Sequence, residues 1–184
     1  GNNDGTGMTI PWHELGFGIS KHFFTFVLGL SHPDIIWKKL DQKSVRWAVR
    51  KAKRDGVIIR EGNCTKDLRT FYELNLKTKK RLGVPGHPFH FFHNTCETMG
   101  NHVKLYLAQF QGNVIAGIMN LEFKGTIIYG YAASDKNYLA YHPNDITLWR
   151  AIEEGCQKGY EYFDFGRTSR SEKGLRSFKK HWGG

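Results

Sequence analysis

Cysteine is scarce and unpatterned in this chain. Cys64, Cys96 and Cys156 are its three, odd in number, far apart and without a C-x-x-C pair. That spacing argues against a disulfide framework or a zinc ribbon and fits a reducing cytoplasm. Long hydrophobic runs are lacking as well. The longest, "FFTFVLGL" at residues 23–30, falls far short of the roughly 18 residues of a spanning helix. It has no signal-peptide architecture before it and reads as a buried strand. No internal repeat is visible. Acidic residues are the minority charge: 17 Asp plus Glu face 27 Lys plus Arg, leaving +10 over 184 residues. The excess is spread along the chain, so the surface potential favours an anionic partner such as RNA, a nucleotide or a phosphorylated intermediate, with simple solubility as the plain alternative. The opening "GNNDGTG" lacks an initiator Met, which raises the expectation that a longer protein precedes it.

What is present has the size of one compact domain. After a strand at 23–29, Ser31 and Pro33 announce a helix that runs to Gly56. Val45, Ala48, Val49 and Ala52 form its apolar stripe, and Lys43, Arg46, Arg50, Lys53 and Arg54 its solvated side. "VIIRE" is a strand. A second helix follows, with Asp67 as its cap and Gly83 as its end. "VPGHPFHFFHNTCETMG" gives a Pro-Gly turn and an aromatic helix from about Pro88. Strands at 103–110, 114–123 and 126–134 are separated by "QGN" and "KG", the tight turns of antiparallel hairpins. Asn144 or Asp145 is expected to cap a helix carrying Ile146, Trp149, Ile152 and Cys156, ended by Gly159. "YEYFDF" is the last strand. The order predicts an α+β fold, a mixed sheet with helices on both faces.

The chain closes with "FDFGRTSRSEKGLRSFKKHWGG". In a helix over 173–182, Leu175, Phe178 and Trp182 share one face, and Lys173, Arg176 and Lys180 point away from it. Lys179 lies about 40° from Leu175, on the margin of the apolar face, where its ammonium is partly desolvated. A lysine so held can steady negative charge on a reacting carbonyl or a phosphate, or it can simply snorkel to the surface. The preceding "FGRTSRS" reads as a turn: Gly166 permits close backbone approach and Arg167 offers a planar fork to phosphate or carboxylate. Asp164, two positions earlier, is either a general base or the structural partner of Arg167 or Lys179.

The segments "VRWAVRKAKRDGV", "TKKRLGVP", "HPNDITLWRAIEEGCQKGYEYFDFGRTS" and "GLRSFKKHWG", together with the meander, resemble the FemABX family. The resemblance covers about residues 23–183 and implies a GNAT-like acyl-CoA N-acyltransferase fold with a central, mostly antiparallel mixed sheet. It also implies transfer of an aminoacyl group from aminoacyl-tRNA to an amine acceptor in building peptidoglycan bridges. Residues 1–30 would then be a loop and strand left from a preceding GNAT-like half, and 31–184 the second half. The family's Phe-Lys pair falls on Phe178 and Lys179, which with Asp164 make the expected catalytic group. Gly166, Arg167, Thr168, Arg176, His87, Phe91 and Tyr131 are the expected substrate contacts. At His87 and Phe91 the chain departs from the arginine and tyrosine with which some members hold a nucleotide-linked precursor; neither replacement can grip a pyrophosphate bidentately.

Amine attack on an activated ester needs orientation, a proton route and oxyanion stabilisation, without a protein nucleophile or a bound cofactor. Acyl-CoA is the alternative donor, although "SDKNYLAYHPNDITLW" lacks the glycines of a pyrophosphate loop. A non-catalytic RNA-binding module is a further reading, with no RRM or KH signature to support it. His87, His90 and His93 are three apart, but a helix sends the third to a different face, Pro88 is expected to keep His87 outside it, and no metal is expected.

Overall fold

The computed structural model describes residues 23–184, together with Gly16 and Gly18. Six strands form one sheet in the order β1-β6-β5-β4-β3-β2. They are β1 (Phe23–Gly29), β2 (Ile58–Gly62), β3 (Val103–Phe110), β4 (Asn113–Phe123), β5 (Thr126–Ser134) and β6 (Tyr162–Ser169). All neighbours are antiparallel except β5 and β6. The two turns of the β3–β4–β5 meander have positive φ at Gln111, Gly112, Lys124 and Gly125. That sign suits the mirror-image turns whose twist matches the flanking strands. Those connections are too short for anything but hairpins, whereas the parallel step from β5 to β6 needs a crossover, supplied by a helix.

The helices are α1 (Pro33–Lys39), α2 (Trp47–Arg54), α3 (Leu68–Arg81), α4 (Phe89–Met99), α5 (Pro143–Gln157) and α6 (Lys173–His181). Side chains of β3 alternate strictly: Tyr106 and Ala108 enter one core, Leu105 and Leu107 the other. The first core gathers Val49, Ala52, Trp149, Ile152 and Trp182, under α1, α2 and α5. The second gathers Phe71, Leu74, Phe92 and Cys96, under α3 and α4. With both faces covered, β4 is buried without interruption from Ile115 to Asn120. The expected mixed sheet with helices on both faces is the observed architecture.

Three local expectations are corrected. The single helix over 33–56 is two. Leu40 is extended (ψ 146°) and its N–H closes α1 on Ile36 and Trp37 carbonyls. Asp41 then starts a new helix, its Oδ1 accepting from Ser44 N at 2.7 Å. Arg46 N reaches back to Asp41 O at 3.0 Å, which makes a wide first turn. The α5 cap is His142, at φ 52°, with Pro143 at the first helical position. Proline there lacks only an N–H that the helix start would leave unpaired anyway. The "FGRTS" turn is instead strand: β6 continues to Ser169, still paired with β1. The residues expected to be a remnant of an earlier half include β1, which is an outer strand of this same sheet; residues 1–15, 17 and 19–22 lie outside the described ones.

Candidate functional site

Strands β5 and β6 pair over only three positions, Thr126–Ile128 with Tyr162–Asp164. Beyond Ile128 and Asp164 both strands continue, β5 to Ser134 beside β4 and β6 to Ser169 beside β1, without pairing to each other. The sheet is thus open between its two parallel strands, at their carboxyl ends. There each of the two strands has one edge without a sheet partner, and an extended ligand can pair with such an edge.

Each strand carries a bulge just past the point of divergence. In β5 the register slips between Met119–Tyr131 and Asn120–Tyr129, which leaves Gly130 unpaired. A Cβ at Gly130 would stand 2.9 Å from Met119 O, so the close approach requires glycine. In β6, Phe165 and Gly166 together oppose Phe26, and Gly166 has φ +70°. Glycine in the left-handed region is the residue a bulge of this type calls for.

The β6 bulge is held from both sides. Asp164 Oδ1 accepts from Gly166 N at 2.7 Å. Lys179 Nζ donates to Gly166 O at 2.9 Å. Lys179 is 3% exposed, and its ammonium lies 6.0 Å from the Phe26 ring centroid. Burial pushes its pKa down, while the carboxylates of Asp164 and Glu172 work against that shift. Asp164 thus bonds the Gly166 amide, and its carboxylate also acts on the Lys179 ammonium. Trp182 is fully buried and Phe178 half-buried beside it, whereas Leu175 is 39% exposed. Leu175 shares their angular position but sits in the first turn of α6, ahead of the residues that reach the core. Concavities of 310 to 500 Å³ on the described surface include four that the Asp164–Gly166–Lys179 group does not line.

The candidate arginines gather on the outer strand. Arg167 is exposed, its guanidinium 5.0 Å from the Phe23 ring, and Arg176 lies 4.2 Å from the Phe24 ring. Arg170, which sequence reasoning had not singled out, stands 6.0 Å from Phe24. Its carbonyl accepts from Arg176 Nη1 at 3.3 Å. No carboxylate pairs with any of these three among the described residues. Thr168 is 1% exposed and its hydroxyl has no hydrogen-bond partner.

His87, Phe91 and Tyr131 come together as a second group on the β5 side. His87 stacks on Phe91 at 4.3 Å, and Tyr131 meets them edge-on at 5.7 and 5.8 Å. The patch is aromatic and carries no guanidinium fork. Phe91 also borders a 470 Å³ concavity with Pro88, His90, Asn94 and Thr95. Among the described residues no three His, Cys, Asp or Glu side chains gather as a metal-binding group.

At the start of α5, Asp145 lies 3.5 Å from His142 Nδ1 and is bonded by its own backbone amide; burial raises its pKa. Pro143 has no N–H to offer. A helix start that already holds a carboxylate, and that lacks one amide, is poorly suited to a ligand's phosphate. Cys64, distant in sequence, packs against the core that holds Cys96; interaction between the two thiols lowers the Cys64 pKa, and it and burial raise that of Cys96.

The sheet is thus open between its parallel strands, with a bulge on each side. Residues 41–180 match the family model described as an acetyltransferase (GNAT) domain, and the chain belongs to that family. Within the fold it is similar to the crystal structure of FemX at TM-score 0.79 and 17% identity, covering 86% of this chain and 58% of that one. It is also similar to the C-terminal domain of a putative lysylphosphatidylglycerol synthetase from Agrobacterium fabrum, at TM-score 0.62 and 11% identity over 89% and 56% of the two chains. An aminoglycoside acetyltransferase from an uncultured soil metagenomic sample aligns at TM-score 0.54 and 13% identity, over 69% of this chain and 87% of that one. The chain therefore spans less than two thirds of the first two. No curated protein matches the sequence. No helix among the described residues is long and apolar enough to cross a membrane.

Proposed function

We propose that this chain is the second half of an aminoacyltransferase of the FemX kind, moving an acyl group from an activated ester to an amine in the opening between β5 and β6. The observation that carries the reading is the buried Lys179, tethered to the carbonyl of the Gly166 bulge where the two strands part. The amine attacks the ester carbonyl, negative charge collects on the carbonyl oxygen, and the acyl C–O bond then breaks, the donor leaving as an alcohol with the proton the amine gives up. A buried ammonium beside that point favours the charged intermediate more than it would in water. Gly130 and Gly166 let backbone approach the reacting groups, and an extended acyl or peptide segment can lie along the exposed strand edges. Arg167, Arg170 and Arg176 give the outer strand a cationic, ring-backed surface suited to a polyanionic donor such as aminoacyl-tRNA. The aromatic wall of His87, Phe91 and Tyr131 is assigned to the acceptor side. Synthesis of a cell-wall or polysaccharide bridge, in the cytoplasm, is the setting this chemistry suits.

The test is label transfer from charged tRNA to a panel of amines by the full-length protein and by its K179A and K179M variants. Both substitutions should lower turnover at least 100-fold in protein that remains folded by circular dichroism. Undiminished turnover in a folded K179M variant would remove Lys179 from the reaction. The family match keeps acyl-CoA as the second reading. The occupied α5 start weighs against it, and calorimetric titration with acetyl-CoA decides: a saturable heat would replace the aminoacyl donor by a thioester.

A further inference from the structure

We infer that the outer face of α1 and α2 is a docking surface for a lipid bilayer with an anionic headgroup layer. Residues 33–55 carry eight Lys or Arg against three Asp, so half of the chain's net charge of +10 falls on two short helices. The carboxylates do little to cancel it. Asp41 is bonded by the Ser44 amide and hydroxyl, and Asp55 is held by Lys51, with Arg54 at 3.7 Å. Asp34 stands in the first turn of α1, 3.6 Å from His32 Nδ1. Among the described residues no carboxylate pairs with Lys38, Lys39, Lys43, Arg50 or Lys53, and all five are exposed.

A basic helix face is usually a solvated one, and cations near a helix C-terminus also offset its unpaired carbonyls. Neither accounts for this face. The chain closes both helices itself: Leu40 N–H bonds to the Ile36 and Trp37 carbonyls, and Asp55, Gly56 and Val57 N–H groups bond to those of Lys51, Lys53 and Ala52 at 2.9 to 3.2 Å. Large apolar side chains stand among the cations. Ile35 and Trp47 are each 49% exposed. At 100° per residue Ile35 shares a face with Lys38 and Lys39, and Trp47 shares one with Arg50 and Arg54. The two patches meet where the Arg50 guanidinium lies 5.7 Å from the Trp37 ring. On the other side of α2, Val45, Ala48, Val49 and Ala52 are buried, which fixes the helix on the core.

The chemistry of the face selects a bilayer. None of the four concavities described above is lined by a residue of 33–55, so these cations stand on an open surface and share no hollow. An extended anionic plane meets such a surface at many points, and each Lys or Arg brought near it adds an attraction that salt screens. Trp settles at the level of lipid headgroups, and an aliphatic Ile gains by leaving water there. A polynucleotide can use the cations and stack on Trp47, but it offers Ile35 nothing. The contact is peripheral, made by a surface and not by a spanning helix. The inference goes beyond the transfer reading and does not rest on it, since no residue of the β5–β6 opening takes part.

The test sediments the 184-residue chain with phosphatidylcholine vesicles, with and without about 30% phosphatidylglycerol, in about 0.1 M salt. Binding to the anionic vesicles alone is expected, falling about tenfold in about 0.5 M salt. The K38Q/K39Q/K43Q/R50Q variant should bind about tenfold more weakly than wild type. K66Q/K124Q/K173Q/K180Q removes as much charge from other exposed positions and should bind within about a factor of two of wild type. Brominated lipid should quench the fluorescence of wild type more than that of W47F, a readout that leaves every charge in place. Failure to bind the anionic vesicles, equal weakening by the two quadruple variants, or equal quenching of wild type and W47F each overturns the surface. So does tighter binding of a single-stranded RNA of about 12 nucleotides that is lost in the first variant, which makes a polynucleotide the occupant. Vesicle binding without label transfer removes the transfer reading alone, and label transfer without vesicle binding removes the surface alone.

Discussion

Gly166 and Lys179 show how much rests on single residues at the opening. Gly166 has φ +70° and nothing within 4 Å of a would-be Cβ, so G166A meets no clash and costs only backbone strain, about 1–2 kcal/mol. G166N should cost less, because asparagine tolerates that conformation; thermal unfolding of the two variants gives the comparison. Lys179 has a folded-state pKa below its unfolded value. Between those two values the native state has released a proton that the unfolded chain keeps, so its contribution to stability rises with pH. Wild type should therefore gain on K179M as the pH moves from neutral toward about 10.4, the ordinary lysine value, when both are unfolded in urea. Among the thiols, interaction with Cys64 and burial push Cys96 up, burial pushes Cys156 up, and the neighbouring Cys96 thiol pulls Cys64 down. Cys64 should be alkylated first by iodoacetamide, as read by peptide mass, since the thiolate is the reactive form.

At the scale of elements, α5 and α6 respond oppositely to the same substitution. A Cβ on Gly155 would lie 2.5 Å from Ile127 Cδ1, so G155A must force the Ile127 side chain aside in a packed core and should cost about 1–3 kcal/mol. Gly174 sits in α6 with nothing within 4 Å, and G174A should stabilise by about 0.5–1 kcal/mol through helix propensity. Strand β2 and α3 are joined by Arg60 and Asp67, two hydrogen bonds at 2.6 and 2.8 Å. The guanidinium holds the Asp67 carboxyl below the ordinary aspartate range, against the opposing effect of burial. Stability from this pair is present above the unfolded value, near 3.9, and disappears as pH falls through the lowered folded value. D67N should cost roughly 1–2 kcal/mol at pH 7, a discounted figure for a pair partly open to solvent. The loss relative to wild type should vanish in strong acid.

Across the whole molecule, two cores share one sheet, with central strands buried on both faces and β1 at an edge. Amides of β3 and β4 should exchange most slowly with deuterium and those of the edge strands β1 and β2 fastest among the strands, because opening an edge breaks the fewest contacts. Both hairpins, the apolar stripes and most helix ends were legible, since glycine turns and periodicity act over a few residues. The break at Leu40–Asp41 was less so: its signal, an aspartate three before a serine, is one side-chain bond inside a continuous stripe. The Gly166 bulge was mistaken for a turn because a positive φ serves either, and only β1 lying alongside keeps Arg167 to Ser169 in strand.

Local chemistry thus settled the elements, the two-faced sheet and the amphipathic closing helix, because spacing alone dictates which side chains share a face. What needed the tertiary structure was every meeting between distant segments: Lys179 with the Gly166 carbonyl, the arginines with Phe23 and Phe24, His87 with Tyr131, Cys64 with Cys96. Helix angle placed Lys179 at a margin, but depth depends on where along its axis the helix meets the sheet. The opening itself is likewise a matter of pairing, since two strands diverge only when each finds a better partner on its other side.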